Sequence, residues 1–364
     1  MSGNSGCASD LALCLSTCND TAAPTSAPTL DPCANYVVDY DLGLHIGSVF
    51  IIMATSFVGV TSPLLIKRMA HANETSGYWV SCGKLVGTGV VMACGLVHML
   101  QPAATSLTSP CVPWEFNTDY NAYAFLFALL AMIALHFMEN MLRVEYFGEC
   151  ECCDENPSEC VKPESCGGEA CDHLELAGAK PAKLAPVKKK DSKHYRRQIQ
   201  TVAMEFGLTM HSVFVGLLVG VTGDVLLNGT PGFQVLLVAL GFHQFFEGVA
   251  LGARLADIDA SATFITAFVL VFVLSCPLGI VCGIIYVTSV NPNGITMLLV
   301  QGTFDGVCGG LLLYVGTQLM HIDFPEDMNK FANNSVPHAR LKRFGMFLSF
   351  WTGAGFMAFI GKYL

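Results

Sequence analysis

Charged residues are scarce in this sequence. Asp, Glu, Lys and Arg make up 13% of the 364 residues, whereas hydrophobic residues make up 52%. Soluble domains carry about 25% charged residues. The shortage therefore argues against a soluble protein and favours one whose helices are bordered by lipid, where each crossing requires about 20 apolar residues.

Lysine and arginine are missing altogether from one set of segments. These segments are the N-terminal tail and three connections, namely 1–41, 105–120, 223–232 and 289–294. Apart from Lys362, the basic residues lie in or beside four other connections, namely 67–81, 146–199, 256–263 and 321–340. Because Lys and Arg accumulate on the cytoplasmic side of a membrane, both termini are predicted to be extracellular or lumenal. The tail also lacks the basic start of a signal peptide, so we expect no cleaved leader.

Eight apolar runs are long enough to cross a membrane. They lie at about 42–66, 82–104, 121–145, 200–222, 233–255, 264–288, 295–320 and 341–363. Backbone groups in lipid must be satisfied within a segment, so each run is predicted to be a helix. The fold class is therefore an all-α membrane protein, an eight-helix bundle. It has four parts: a flexible Cys/Ser/Pro-containing tail at 1–41, helices 1–3 at 42–145, a cytoplasmic loop at 146–199, and helices 4–8 at 200–364.

The sixteen cysteines form three groups. On the outer side, Cys33 and Cys111 could form a disulfide. Five in or beside apolar runs are interpreted as small buried hydrophobes, namely Cys82, Cys94, Cys276, Cys282 and Cys308. The inner loop has soft metal-ligand candidates, namely Cys150, Cys152, Cys153, Cys160, Cys166, Cys171 and His173. This loop either senses or buffers metal or is a disordered linker with incidental cysteines.

Three ionisable residues lie near the centres of two predicted spans. His211 is in the fourth, and His243 and Glu247 are in the fifth. Such residues are costly in a membrane and indicate function. His243 and Glu247 are four residues apart and share one helical face, and two imidazoles with a carboxylate suit zinc or ferrous iron. The alternative is a His–Glu pair that only stabilises packing.

Small residues are spaced four apart on the same two spans. Gly216 with Gly220, and Gly248 with Gly252, would let helix backbones approach closely. We expect this approach to bring His211 towards His243 and Glu247.

The residues around these positions resemble signature helices of the ZIP (Zrt/Irt-like) family of zinc and iron transporters, in particular its plant and fungal branch. The matching stretches are Glu205 to Gly220, Gly241 to Gly252, Val97 to Leu100, Cys276 to Gly279 and Gln301 to Tyr314. The resemblance covers roughly 41–364. It implies that His211, His243 and Glu247 form the principal transport site, that Ser212 and Gln244 lie at a second site, and that His98 belongs to the outer path.

Two positions depart from the family pattern. Some members have a carboxylate where this chain has Val215, and some have Glu where it has Cys276. The second metal position thereby loses its strongest ligand, so we expect one well-occupied site. The inner loop is rich in cysteine rather than histidine, which could favour zinc or cuprous copper there without setting the selectivity of the pore.

Four further residues are weaker candidates for the ion pathway. His136 and Glu139, one turn apart in the third span, form either an exit relay or an interfacial pair. Asp305, in the seventh span, either packs or lines the pathway. Glu205, on the inner side of His211, is a candidate exit ligand, and His98 is alternatively an interfacial histidine.

These observations predict a transporter that imports a divalent metal, Zn²⁺ or Fe²⁺, with no prosthetic group. The alternative is a metal-sensing membrane receptor that signals through the inner loop. An enzyme is not expected, because no HExxH helix is present. The expected partners are the metal ion, membrane lipid and a second copy in a homodimer, with no nucleic acid. We expect the plasma membrane, with an endosomal or other organelle membrane as the alternative.

Overall fold

The computed structural model describes residues 33, 40–69, 74–147, 189–223, 226–227, 230–258, 260–287, 289 and 291–363. The predicted flexibility of the tail, and the inner-loop metal candidates Cys150, Cys152, Cys153, Cys160, Cys166, Cys171 and His173, lie outside these residues.

Eight helices in the described part are long and apolar enough to span a membrane, which confirms the predicted number. Five are single α-helices, namely α1 (Leu42–Met69), α3 (Tyr123–Phe147), α5 (Gly232–Asp257), α6 (Ala262–Tyr286) and α8 (Ala339–Ile360). A sixth, α4 (Lys189–Val221), is the longest uninterrupted helix. Strands β1 (Leu226–Leu227) and β2 (Thr230–Pro231) form a short antiparallel pair between α4 and α5.

The two remaining helices each contain a π-helical turn. Helix α2 comprises Glu74–Ala93, the π turn Cys94–Leu100 and Gln101–Leu107; α7 comprises Ile295–Gln318, the π turn Leu319–Asp323 and Phe324–Phe331. A separate π turn, Glu115–Asp119, lies between α2 and α3. Pro102 follows the π turn of α2, and Pro325 follows the π turn of α7, each within one helical turn. Proline has no N–H to donate and clashes with the carbonyl four residues earlier, so the wider turn accommodates it.

The helices pack as two groups. Helix α4 packs most extensively on α6, and α1 packs on α5 and α6, whereas α2 packs on α8 and α3 on α7. We call α1, α4, α5 and α6 the inner group, and α2, α3, α7 and α8 the flanking group. The groups meet chiefly where α4 contacts α7 and α5 contacts α2.

The glycine pairs allow helices of the inner group to pack closely, but the helices they join are not the ones expected from the sequence. A Cβ on Gly216 would overlap the carbonyl oxygen of Cys276 on α6, and one on Gly252 would overlap the carbonyl oxygen of Val60 on α1. A Cβ on Gly220 would lie 2.7 Å from the Cα of Gly283. The glycines therefore join α4 to α6 and α5 to α1. The expectation that they draw α4 towards α5 was wrong, because these two helices contact each other over a short stretch only.

The two ends of the bundle differ in chemistry. At one end, which we call the disulfide end, Cys33 and Cys111 are bonded, as expected from the sequence. The Asn291 amide donates to the Cys33 carbonyl at 2.8 Å, and the Tyr40 hydroxyl donates to the Gly220 carbonyl at 2.7 Å. The opposite end, which we call the charged end, contains the ion pairs described below.

Three helices extend further at the charged end than the apolar runs suggested. Helix α2 begins at Glu74 rather than near 82, α4 at Lys189 rather than at 200, and α7 continues to Phe331. Part of the segment 146–199 is thus helical rather than loop. The added turns hold polar residues that pair with one another across helices, which hydropathy alone does not reveal.

Large apolar side chains cover the outside of the bundle. Phe57, Phe137 and Trp351 are all more than half exposed, as expected of a surface bordered by lipid. Four of the five cysteines interpreted as buried hydrophobes are buried, whereas Cys282 is exposed. It lies on α6 beside Gly283, and only the glycine side of that helix packs against α4.

Candidate metal centre

Two helices bring three ligand-type side chains together. Helix α4 supplies His211, and α5 supplies His243 and Glu247 one turn apart. All three are at most 3% exposed, and each offers a ligand atom within 4.8 Å of the other two. The His243 Nε2 lies 3.2 Å from the Glu247 Oε1. Ligand atoms bound 2.0–2.2 Å from one zinc ion in a tetrahedron lie roughly 3.3–3.6 Å apart, so this pair is near chelating separation.

The centre has buried polar atoms that the protein does not satisfy. Within the described residues, His243 Nδ1 and Glu247 Oε2 are buried and have no hydrogen-bond partner. A buried unsatisfied group costs about 1–3 kcal/mol, and more when it is charged. The arrangement therefore does not serve packing alone. It is suited to attract a cation.

Asp305 on α7 contacts the centre directly. The His211 Nδ1 donates to the Asp305 Oδ1 at 3.1 Å, and both side chains are buried. This contact leaves the Nε2 lone pair of a neutral His211 free to bind an ion. A carboxylate behind a metal-binding histidine fixes its tautomer and orientation. The structure thus places Asp305 at the centre, and its role in the ion pathway stays a prediction.

His98 lies closer to the centre than the sequence suggested. It is buried in the π turn of α2, and its ring centroid is 4.9 Å from that of His243. Its Nε2 donates to the Met357 carbonyl on α8 at 2.7 Å. His98 is thus anchored beside the centre rather than at the membrane interface.

Cys94 is a site residue that the sequence analysis missed. It is fully buried, and its Sγ donates to the Glu247 Oε1 at 2.9 Å. One sequence signal pointed to it: Cys94 precedes His98 by four residues, which places both on one helical face. Its neighbour on α5 could not be identified from that spacing.

The residues of the predicted second site lie next to the first. The Gln244 amide donates to the Ser212 hydroxyl at 3.3 Å, and both side chains are buried. Val215 packs with the fully buried Cys276 in an apolar cluster. The positions that carry carboxylates in some family members are therefore part of a hydrophobic contact in this chain.

A cavity of about 520 Å³ connects the centre with the disulfide end. Near the centre it is lined by His98, His211, His243 and Asp305. Further out its wall includes Thr105, Thr222 and Leu236, which lie near the ends of α2 and α4 and the start of α5. The cavity thus connects the side chains of His211 and His243 with the disulfide end.

A network of ion pairs lies on the other side of the centre. The buried Arg254 on α5 contacts Asp323 on α7 at 2.7 Å and donates to the Gln200 amide oxygen on α4 at 2.7 Å. Lys84 on α2 contacts Asp257 on α5 at 2.6 Å. Arg197 and Asp327 extend the network. It joins four helices across the charged end.

Glu205 lies between the centre and this network along α4. It is buried, and the Thr209 hydroxyl donates to its Oε1 at 3.2 Å, whereas its Oε2 has no partner in the described part of the chain. This placement agrees with the predicted exit position. No described contact joins it to His211.

The predicted relay of His136 and Glu139 is separate from the centre. Glu139 is buried and accepts from the Tyr314 hydroxyl at 3.0 Å, and the exposed His136 lies 3.2 Å from the same hydroxyl. Arg196 and Gln200 also approach Glu139. These contacts tie α3 to α4 and α7, which favours a structural role.

Comparison with known proteins agrees with this chemistry. The sequence profile described as "ZIP Zinc transporter" matches residues 42–361. Zinc transporter 5 of Oryza sativa subsp. japonica is 29% identical over 326 residues, which cover 88% of this chain and 86% of that protein. Fe(2+) transport protein 1 of the same plant is 28% identical over 329 residues, covering 86% and 82%. Zinc-regulated transporter 1 of Candida albicans is 26% identical over 285 residues, covering 78% of this chain but 54% of that protein.

Proposed function

Since the chain belongs to the ZIP zinc transporter family, we propose that it imports a divalent transition metal, zinc or ferrous iron, into the cytoplasm through His211, His243 and Glu247. The observation that carries the proposal is the convergence of three buried ligand atoms within 4.8 Å, at the inner end of a cavity. The related proteins are named as transporters of zinc or Fe²⁺, and none of the three compared is named as an enzyme.

The proposed direction rests on the distribution of charge. Nearly all Lys and Arg lie at or beyond the charged end, which faces the cytoplasm in this proposal. The disulfide end then faces outward, and a disulfide is stable in an oxidising compartment. In this orientation the cavity that reaches the centre opens to the outside, and the ion-pair network lies between the centre and the cytoplasm. We propose the plasma membrane as its location; in an endosomal or other organelle membrane, the alternative, the disulfide end would face the lumen.

The chemistry of the centre fits a carrier rather than a permanent metal site. Three protein ligands leave room for water or a transient donor in the coordination sphere, as in exchangeable zinc sites. Val215 and Cys276 supply no carboxylate to a neighbouring position, so we propose one principal ion. Alternating access requires the centre to face each side in turn, and the separation into inner and flanking groups provides two bodies that could move past one another.

The receptor hypothesis depends on the segment 146–199, most of which lies outside the described residues. No described contact favours it over transport.

Uptake of radiolabelled zinc and iron into intact cells tests the proposal. We expect His211→Ala and Glu247→Ala each to lower uptake about tenfold or more, because each removes a ligand. His321→Ala is the matched control, since that histidine is exposed at the charged end and should leave uptake unchanged. Surface delivery is measured in parallel. Normal uptake by both site variants would refute this function.

A further inference from the structure

A second cavity, of about 610 Å³, lies at the charged end of the bundle. Four helices form its wall, namely the last turns of α1, α5 and α7 and the first turns of α2. It shares Lys84, Asp257 and Asp327 with the ion-pair network, and it is lined by no residue of the candidate centre. The proposed transport site therefore gives this cavity no role.

The cavity contains two ammonium groups that no described carboxylate neutralises. Lys84 also lines the cavity, but it is paired with carboxylates of the ion-pair network. The Lys67 Nζ donates to the Ala256 carbonyl, and the Lys330 Nζ lies 5.0 Å from the centre of the Phe331 ring. Neither Lys67 nor Lys330 forms an ion pair within the described residues. Two positive charges thus remain for an anionic ligand.

Apolar side chains lie beside these two lysines. Ile66 and Trp79 line the cavity and are 50% and 67% exposed, and Pro63 and Val249 add to the same wall. A soluble anion has no use for exposed apolar surface next to its charge. A phospholipid has both an acidic headgroup and acyl chains, so its chemistry matches the cavity more fully.

The depth of the cavity also fits a lipid headgroup. Lys67 directly follows the apolar run 42–66, so it lies at the predicted edge of the hydrocarbon. Trp is enriched at the level of the headgroups, and a lysine can keep its stem in apolar surroundings while its ammonium reaches that level. Lys330 lines the same cavity from α7.

We propose that this cavity binds an anionic phospholipid such as phosphatidylserine, with Lys67 and Lys330 at its headgroup and Ile66 and Trp79 along an acyl chain. Basic pockets between membrane helices bind acidic headgroups in this way. In the proposed orientation the charged end lies in the cytoplasmic leaflet, where anionic lipids concentrate. Since α1 and α5 belong to the inner group and α2 and α7 to the flanking group, one bound lipid contacts both groups.

Trp79 provides a reporter at the site itself. The chain has three tryptophans, and Trp114→Phe with Trp351→Phe leaves Trp79 alone. The full-length protein is reconstituted into phosphatidylcholine vesicles that contain a minor, equal fraction of either brominated phosphatidylserine or brominated phosphatidylcholine. Bromine on an acyl chain quenches a neighbouring indole, so we expect stronger quenching by the serine lipid. Equal quenching would overturn the proposal, because Trp79 would then face only bulk lipid.

Charge-removing variants test the headgroup contacts in the same assay. Lys67→Gln and Lys330→Gln should each lower the preference for phosphatidylserine about fivefold, as expected for one lysine beside an anionic lipid. Lys342→Gln is the matched control, because its Nζ lies 5.8 Å from the centre of the Tyr78 ring at the same end but does not line the cavity. Lys330 is exposed, so its variant tests the site even if Lys67→Gln unfolds. An equal loss in the control would indicate general attraction to an anionic surface and would also overturn the proposal.

A soluble headgroup distinguishes a lipid from a free anion. Glycerophosphoserine is added to the reconstituted protein at the concentration of the brominated phosphatidylserine. We expect quenching of Trp79 to stay unchanged, because the soluble compound lacks the acyl chains that the apolar wall contacts. Complete displacement would assign the cavity to a soluble anion and contradict a lipid site. None of these measurements depends on metal transport, so their outcome is separate from that of the proposed function.

Discussion

At the scale of single residues, the histidines of the centre are held by different partners. His211 donates to Asp305, His98 donates to the Met357 carbonyl, and His243 lies against Glu247. The contacts of His211 and His98 fix which ring nitrogen carries hydrogen, and so which nitrogen can face an ion, whereas the His243 Nε2 and the Glu247 Oε1 lie at the separation of two ligand atoms. The orientation of the ligands is therefore set by α5, α7 and α8 as much as by the ligand residues themselves.

Asp305 offers a test of this orientation. Asp305→Asn keeps the shape but removes the charge, and its amide can present N–H instead of oxygen to His211. We expect metal affinity to fall by about 10–100-fold, the usual effect of losing a carboxylate behind a metal-binding histidine. The measurement is KM for zinc uptake together with surface delivery.

Gln301 provides the matched control. It lies one turn away on α7 and lines the same cavity, but it carries no charge. Gln301→Ala should change KM little. Equal effects of the two variants would mean that Asp305 acts only by shaping the cavity.

The sequence could predict which three ligand-type residues come together but not what surrounds them. His211, His243 and Glu247 were recognisable because ionisable residues at mid-span are costly and rare. Cys94 looked ordinary, because a cysteine suits an apolar helix, and the two interpretations of Asp305 as a packing or a pathway residue stayed open. Their contacts with the centre depend on α2 and α7 packing against α4 and α5, and no short-range pattern specifies such contacts.

At the scale of helices, glycine determines which pairs are closest. Gly216 and Gly220 on α4 face Gly279 and Gly283 on α6, so the two backbones touch without intervening side chains. The spacing of four predicted a close approach, but it did not identify the partner helix. Apolar residues line most faces of these spans, so sequence periodicity could not distinguish α6 from α5.

Alanine substitution tests this contact. Gly216→Ala would drive a Cβ into the carbonyl oxygen of Cys276, and overpacking of this kind costs about 1–3 kcal/mol. We expect a lower melting temperature for the detergent-purified protein. In Gly47→Ala, the new Cβ meets no atom within 4 Å, so the melting temperature should stay the same or rise slightly. A Gly216→Ala protein as stable as the parent would contradict this packing.

The full lengths of some helices, like the helix partners, could not be predicted from the sequence, because apolar runs mark only the part of a helix that is hydrophobic. The centres of all eight spans could be predicted from apolar runs, whereas the starts of α2 and α4 and the end of α7 could not. Those turns contain Ser81, Arg197 and Asp327, which are paired across helices: the Ser81 hydroxyl donates to Asp327, and Arg197 pairs with Asp257. A hydropathy profile counts such residues as solvent-exposed even where partners partly bury them.

At the scale of the whole molecule, the centre is connected differently to the two ends. A cavity of about 520 Å³ reaches the centre from the disulfide end. At the charged end, a second cavity of about 610 Å³ is lined by Lys84, Asp257 and Asp327 of the ion-pair network and by no residue of the centre. The buried Arg254 and its partner Asp323 belong to this network. In the described conformation, the network lies between the centre and the charged end.

Cysteine labelling tests the proposed orientation of these ends. Thr105 is exposed in the cavity wall and Lys330 is exposed at the charged end. We expect a membrane-impermeant maleimide to label Thr105→Cys on intact cells, and to label Lys330→Cys only after permeabilisation. The parent protein gives the background from native cysteines. The reverse pattern would place the cytoplasm at the disulfide end.

The division into two helix groups has a consequence for how tightly an ion is held. His211, His243 and Glu247 belong to the inner group, whereas Cys94, His98 and Asp305 belong to the flanking group. If the groups slide past one another, the first set travels with the ion and the second stays behind. The number of side chains that hold the ligands in place then becomes a function of position along the path. Such a carrier would capture metal from dilute solution where its ligands are held in place and surrender it where they are free to reorient.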